Sequence, residues 1–445
     1  MIGLDSQTLG FALESAPTIR ATGMVQSMRG LLVDGTLPGA QLGMLCDILI
    51  PGRPVPAEVV SVRENGVSLM PLKGVSGIAA GTEIRAGNTR PTVGVHREML
   101  GRVLDGWGNP IDGKGPLTCI QRYPLEPDAI NPMIRPRVTQ AQHVGIRAID
   151  TMLAVGRGQR LSIMAGSGVG KSTLLGMMAR YSNADVKVIA LIGERSREVR
   201  HFVDADLGVE GLRNSVVVAA TSNMAAALRI RAAKTATAIA EFYRDQGLTV
   251  LLLMDSLTRV CMAQRELGLS TGEPPTTRGY PPSAFAIIPT LLERAGTGPI
   301  GGSITGFYTV FLEGDDQNDP IGDAVRAVTD GHIVLDRGLA NRGRYPAIDI
   351  LSSTSRVMSE VTSAEHRQAA LVIRRSLADL QEAQELQELG AYEQGNVPRL
   401  DRAMKHQEGL RALLQQSLDE HCTHEDALSQ LSSLVSAIMA EGANA

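Results

Sequence analysis

The stretch AGSGVGKST, Ala165 to Thr173, lies between an apolar run, LSIM, and a helix-like run, LLGMMARY. Closely spaced glycines let successive backbone N–H groups converge on one point, and a helix opening directly behind them aims its positive dipole end at the same point. A lysine that reaches the β and γ phosphates and a hydroxyl suited to magnesium complete a phosphate-binding loop. Gly166, Ser167, Gly168, Val169 and Gly170 form the cradle, Lys171 supplies the cation, and Ser172 with Thr173 the hydroxyls. The first glycine of the GxxxxGK[ST] pattern is replaced by Ala165, a departure of one methyl group.

A loop of this kind belongs between a buried strand and a helix, and the chain around it supplies that setting. From about Thr92 onward the strand candidates QRLSIM, VKVIALI, SVVVAA, LTVLLLM, FYTVFL and GHIVL alternate with helix candidates, which predicts a mostly parallel sheet covered by helices. Between about Arg20 and Gly87, short pieces such as MLCDILI, AEVVSV and VSLMPL stand between turn residues, the spacing of a small β-barrel or sandwich. After Ser359, Ala370, Ile373, Leu377, Leu380 and Leu386 recur at helical intervals, so the C-terminal part reads as helical. THED, Thr423 to Asp426, reads as a capping box before a last amphipathic helix, and His421 and His424 as surface histidines beside it rather than metal ligands.

Two carboxylates follow apolar runs. Asp255 ends LTVLLLMD, where a buried parallel strand would carry it to the ligand edge of the sheet, and it is the candidate for holding magnesium and its waters. Glu194, after VKVIALIG, would rise on the same edge and could polarise an attacking water. The plainer reading of Glu194 is an ion pair with Arg195 or Arg197; Arg195 is kept beside it as a candidate catalytic residue. GGSITG lacks the second glycine of a nucleophile elbow, and EGDDQNDP lacks the glycine and final glutamate of a calcium loop.

A formal charge of -4 and an aromatic content of 3% speak against a motor that threads single-stranded nucleic acid, because such proteins rely on basic channels and stacking platforms. No nucleic-acid partner is expected. The four cysteines form no CxxC pair, which suggests neither zinc nor a disulfide framework and fits a reducing cytoplasm. The chain shows no signal-like start and no apolar run near the ~20 residues that span a bilayer, so membrane association is expected through a partner.

The motifs GRGQRLSIMAGSGVGKSTLLGMMAR, LIGERSREV, LLLMDSLTR, RGYPPSAF, LLERAG, GSITGFYTVFLEGDD and RYPAIDILSSTSRVM occur in that order over about 200 residues. In this the chain resembles the ATPase of type III protein export, a relative of the catalytic subunit of rotary ATP synthases. The resemblance implies an α/β fold: a P-loop, RecA-like core over 91–358 with an N-terminal β-barrel over 1–90 and a C-terminal helical domain over 359–445. It implies a homohexamer that hydrolyses ATP with Mg2+ at subunit interfaces, with Lys171 on the phosphates, Ser172 and Asp255 on the metal, and Glu194 on the water. It adds Tyr345 stacking on the adenine and Arg356 entering the neighbour's site as an arginine finger. Without it, Tyr345 reads as core and Arg356 as a surface charge.

The implied partners are a stator-like regulator at the first twenty residues, export substrates and chaperones at the C-terminal helices, and a membrane export gate with which a cytoplasmic protein associates peripherally. GMMARY, ADVKVIALIGERSREV and EGDDQNDPIGD place the resemblance in the flagellar branch, with the virulence-type injectisome as the alternative. A glutamate in GER argues against a non-catalytic ring subunit, and nothing marks a proton path for ATP synthesis.

Overall fold

The computed structural model describes residues 20–87, 91–118, 121–312, 314, 316 and 318–442. The segment expected to bind a regulator, up to residue 19, lies outside the described residues, as do Cys119, Glu313, Asp315 and Gln317. Contacts divide the chain into two compact units: the chain up to Thr92 with Ala225–Ala227 and Glu266–Pro274, and the remainder.

The first unit resolves the choice between barrel and sandwich. Strands β1 (Thr22–Arg29), β2 (Leu32–Gly35), β3 (Leu45–Ile50), β4 (Arg53–Arg63), β5 (Gly66–Pro71) and β6 (Glu83–Ala86) close into a barrel in the order β1-β2-β5-β4-β3-β6. Closure leaves no unpaired edge. Along β3 the buried positions Cys46, Ile48 and Ile50 alternate with half-buried ones, the period of two that puts one face inside. Val33, Ile48, Ala57, Leu69 and Ile84 fill the barrel interior.

The second unit is built on a sheet. β7 (Arg102–Leu104), β8 (Arg160–Ala165), β9 (Val186–Ile192), β10 (Ser215–Ala220), β11 (Thr249–Asp255), β12 (Ser303–Phe311), β13 (Gly331–Leu335) and β14 (Ile348–Ser355) lie in the order β14-β13-β8-β12-β11-β9-β10-β7. All neighbours are parallel except β13 and β14. The six runs picked from sequence are β8 to β13, and they read as unbroken apolar stretches because both faces are covered: every residue of β9 and β10 is buried.

Helix α1 (Lys171–Tyr181) follows β8, α2 (Ser196–His201) follows β9, and α3 (Leu257–Thr271) follows β11. The C-terminal helices α4 (Ala364–Glu388), α5 (Pro398–Lys405), α6 (Gln407–Leu414) and α7 (His424–Gly442) share one apolar core with the sheet's helices, through Ile373, Leu380, Leu410, Leu413 and Leu431. Buried Arg147 fastens the end of α6: its guanidinium donates to the carbonyls of Ala412 and Leu413, both at 3.0 Å, and pairs with Glu420 at 2.6 Å. Those carbonyls have no partner inside the helix, so a cation there satisfies and stabilises the terminus.

Thr423 caps α7, its hydroxyl oxygen accepting the Asp426 N–H at 3.1 Å, an arrangement that contributes about 1 kcal/mol. The neighbouring histidines differ from the expectation of two surface side chains. His421 is exposed, but His424 is half-buried and stacks on His143 with ring centroids 3.7 Å apart. The reason is non-local: His143 lies far away in sequence, and the last helix folds back onto the segment that carries it.

Candidate active site

The turn after β8 shows which glycines the loop needs. Ala165 is the last strand residue, 1% exposed in the core, with its carbonyl accepting the Leu312 N–H at 3.0 Å. Extended backbone carries a methyl group without strain, so alanine fits where the pattern has glycine. Gly168 and Gly170 have φ of +77° and +87°, a region that side chains avoid. A Cβ on Gly170 would also meet the Tyr345 ring at 3.3 Å.

The first backbone bond of α1 runs from the Leu174 N–H to the Gly170 carbonyl, which leaves the earlier N–H groups for a ligand at the positive end of the helix. Gly166, Ser167, Gly168, Gly170, Lys171, Ser172 and Thr173 line a cavity of about 370 Å3 with Glu194, Arg195, Glu198, Arg259 and Phe311. Val169 does not line it; its side chain is 2% exposed and packs into the core beneath the loop.

Lys171 forms an ion pair with Asp255 at the end of β11, and the Thr309 hydroxyl donates to the same carboxylate oxygen at 2.7 Å. The Asp255 side chain is 3% exposed. Stripped of water, this carboxylate demands a cation, and the lysine ammonium stands in that place.

Glu194 follows β9 and Gly193. The glycine is required there, because its φ is +73° and a Cβ would lie 2.9 Å from the Cβ of Arg259. Burial, and then the charge of Asp255, push the Glu194 carboxyl up to about 7, while Lys171 and Arg259 pull the other way. A hydrogen bond with Glu198 leaves the proton on Glu194 and holds Glu198 below the ordinary range. Arg195 is exposed and pairs with Glu198 at 3.6 Å, not with Glu194.

Tyr345 and Arg356 sit at opposite edges of the sheet. β14 runs antiparallel to β13, pairing Ile348 with Leu335 and Ser355 with Gly331. Tyr345, just before β14, is therefore at the same edge as the loop, and its ring is 46% exposed rather than core. Arg356, just after β14, is at the far edge, exposed and absent from the cavity of its own chain.

Glu198, Arg259 and Phe311 are site residues that the sequence reading missed. Each of the first two lies in the first turn of the helix that opens just after a candidate carboxylate, Glu198 after Glu194 and Arg259 after Asp255. That placement was the available signal.

A buried parallel sheet, a glycine cradle at a helix N-terminus, and a lysine and carboxylates on one edge define a P-loop nucleotide-binding protein. The comparisons with known proteins carry this further. Residues 145–355 match the ATP synthase alpha/beta family, nucleotide-binding domain, and residues 362–433 match the T3SS EscN ATPase C-terminal domain. The flagellum-specific ATP synthase of Bacillus subtilis (strain 168) is 46% identical over 434 residues, 97% of this chain and 99% of that protein.

The assembled ATPase EscN of the enteropathogenic E. coli type III secretion system superposes with a TM-score of 0.88 at 42% identity, covering 93% of this chain and all of that one. EscN in complex with its central stalk EscO gives 0.86 at 41% identity, again over 93% of this chain and all of that one. The chain belongs to the family of type III export ATPases, the flagellum-specific ATP synthases and type 3 secretion system ATPases, and it is an ATP hydrolase.

Proposed function

We propose that this chain hydrolyses Mg2+-bound ATP as a homohexamer and thereby assists type III export of flagellar proteins, releasing and unfolding substrates and chaperones at a membrane export gate. The observation that carries the chemistry is the convergence of Lys171 and Glu194 on the cavity at which the glycine loop opens, with buried Asp255 paired to Lys171 behind them. The flagellar assignment rests on the near full-length likeness to a flagellum-specific relative; the likeness to EscN supports the injectisome as the second reading.

Lys171 leaves Asp255 for the β and γ phosphates when ATP enters, and the loop N–H groups hold the remaining oxygens. Ser172 and Asp255 would hold magnesium; two oxygen donors suit a hard cation that completes its shell with phosphates and water. Bound there, the metal neutralises charge that develops on the phosphates. Glu194, once ionised, accepts a hydrogen bond from the attacking water and aligns it with the terminal phosphorus. The exposed Tyr345 ring offers a face for the adenine. Arg195, exposed at the rim, pairs with Glu198 and thereby positions the partner of the Glu194 carboxyl.

Arg356 cannot reach the loop of its own chain from the far edge of the sheet, so it serves the neighbour's site. One chain carrying a loop on one side and a finger on the other completes every site through head-to-tail contacts that close into a ring. The stalk seen with EscN supports a stalk or stator-like partner for this ring, and a protein with no helix among the described residues long and apolar enough to cross a membrane would reach an inner-membrane gate through such partners.

The loop assignment is tested by Lys171→Ala, which should abolish ATP turnover. The substitution also leaves a buried carboxylate without its cation, a change that by itself can cost about 3–5 kcal/mol. Turnover is therefore read beside a thermal melt: a folded variant hydrolysing ATP at the wild-type rate contradicts the assignment.

A further inference from the structure

A cavity of about 440 Å3, a volume in the range of small-molecule sites, opens in the larger unit where β14 and the loop before it meet α4 and α6. It shares no lining residue with the cavity at the phosphate loop. Leu377 and Leu380 of α4 and Leu410 and Leu414 of α6 give it an apolar wall. Arg342, Arg344 and Arg411 line it as well.

Among the described residues these three guanidinium groups make no hydrogen bond or ion pair, and the Nε of Arg411 is buried with no acceptor. Arginine cannot relieve this by losing its proton at ordinary pH. Burial, and then the charges of Arg411 and Arg342, already push Arg344 downward. Carboxylates are present but engaged: Asp349 accepts the N–H groups of Leu351 and Ser352, Asp336 that of Leu339, and Glu385 the amide of Gln381. Glu388, exposed at the end of α4, is the remaining acid of the lining. A buried donor without an acceptor is rare in folded proteins, and the Arg411 Nε, beside the half-buried Arg344 and the exposed Arg342, calls for an anion from outside.

We propose that this cavity binds an organic anion: a carboxylate or phosphate monoester on an apolar body, its acid group held by Arg344 and Arg411 and its body against the leucine wall. A bare inorganic anion would leave that wall in water, and a neutral apolar molecule would leave the guanidinium donors unmet. The ligand is distinct from ATP, whose phosphates belong to the loop at Lys171.

The test is titration calorimetry of the full-length protein with 4-phenylbutyrate, 4-phenylbutyl phosphate, 4-phenylbutanol and inorganic phosphate. At least one of the two phenylalkyl acids binds saturably, one per chain, and at least tenfold more tightly than the alcohol or inorganic phosphate; the tighter acid identifies the headgroup. Arg411→Leu and Arg344→Leu each weaken it tenfold or more while melting unchanged, and Lys171→Ala leaves it as it was. Equal binding of the alcohol, equal binding of inorganic phosphate, insensitivity to both arginine variants, or loss in Lys171→Ala would each overturn the proposal.

Discussion

Glu194→Gln should keep ATP binding and melt like the parent while kcat falls by ~10²–10⁴, the usual range for removing a positioned acid–base group. Glutamine preserves shape and can donate to the water, but it cannot accept the water's proton or hold the water by negative charge. The same side chain predicts a pH profile. Its carboxyl, pushed up to about 7, is protonated below that value in the free enzyme, and only the ionised form can orient the water. The account therefore expects kcat/KM to rise as pH climbs from 6 to 8, since that ratio reports groups of the free enzyme. In Glu194→Gln this limb should vanish. An unchanged kcat would return the glutamate to a structural partner of Glu198.

Arg356→Ala is expected to be as damaging, because an arginine that meets the transferring phosphoryl group is typically worth ~10³–10⁵ in rate. Its particular signature is rescue. Mixed in equal amounts with Lys171→Ala, itself inactive, it should regain about a quarter of wild-type activity, the share of random head-to-tail interfaces that pair an intact loop with an intact finger. The geometry makes this demand: Ser355 pairs with Gly331 at the start of β13, a strand length away from the edge where Lys171 stands. Mixtures shown to co-assemble yet remaining inactive would contradict a finger acting on a neighbour.

Much of this arrangement was legible before any coordinates. The six strands β8 to β13 announced themselves because a parallel sheet buried on both faces needs continuous apolar runs. Asp255 was legible for the same reason, as a charge at the end of such a run. β14 was not, since its sequence, IDILSSTS, is that of a half-exposed antiparallel edge strand with polar residues on the outer face. β7 has only three residues, too few to show a period. β1, TGMVQSMR, has a single buried position and belongs to the barrel by its backbone pairing rather than by its side chains.

At the site, the residues proposed to hold phosphate and metal were legible from chemistry at known spacings, whereas Glu198 and Arg259 bear on Glu194 and carry no motif of their own. The relation between Tyr345 and Gly170 depends on β14 returning beside β13, and the stack of His143 on His424 depends on α7 folding back. Neither could be read from local sequence, which is also why Tyr345 read as core.

The central claim is that the site is completed by a neighbouring chain, and the direct test is the ATPase rate per chain as a function of protein concentration, with light scattering recording the assembly. The account predicts a rate that is low for the monomer and rises steeply as the hexamer forms. A rate per chain that stays constant from monomer upward would contradict it.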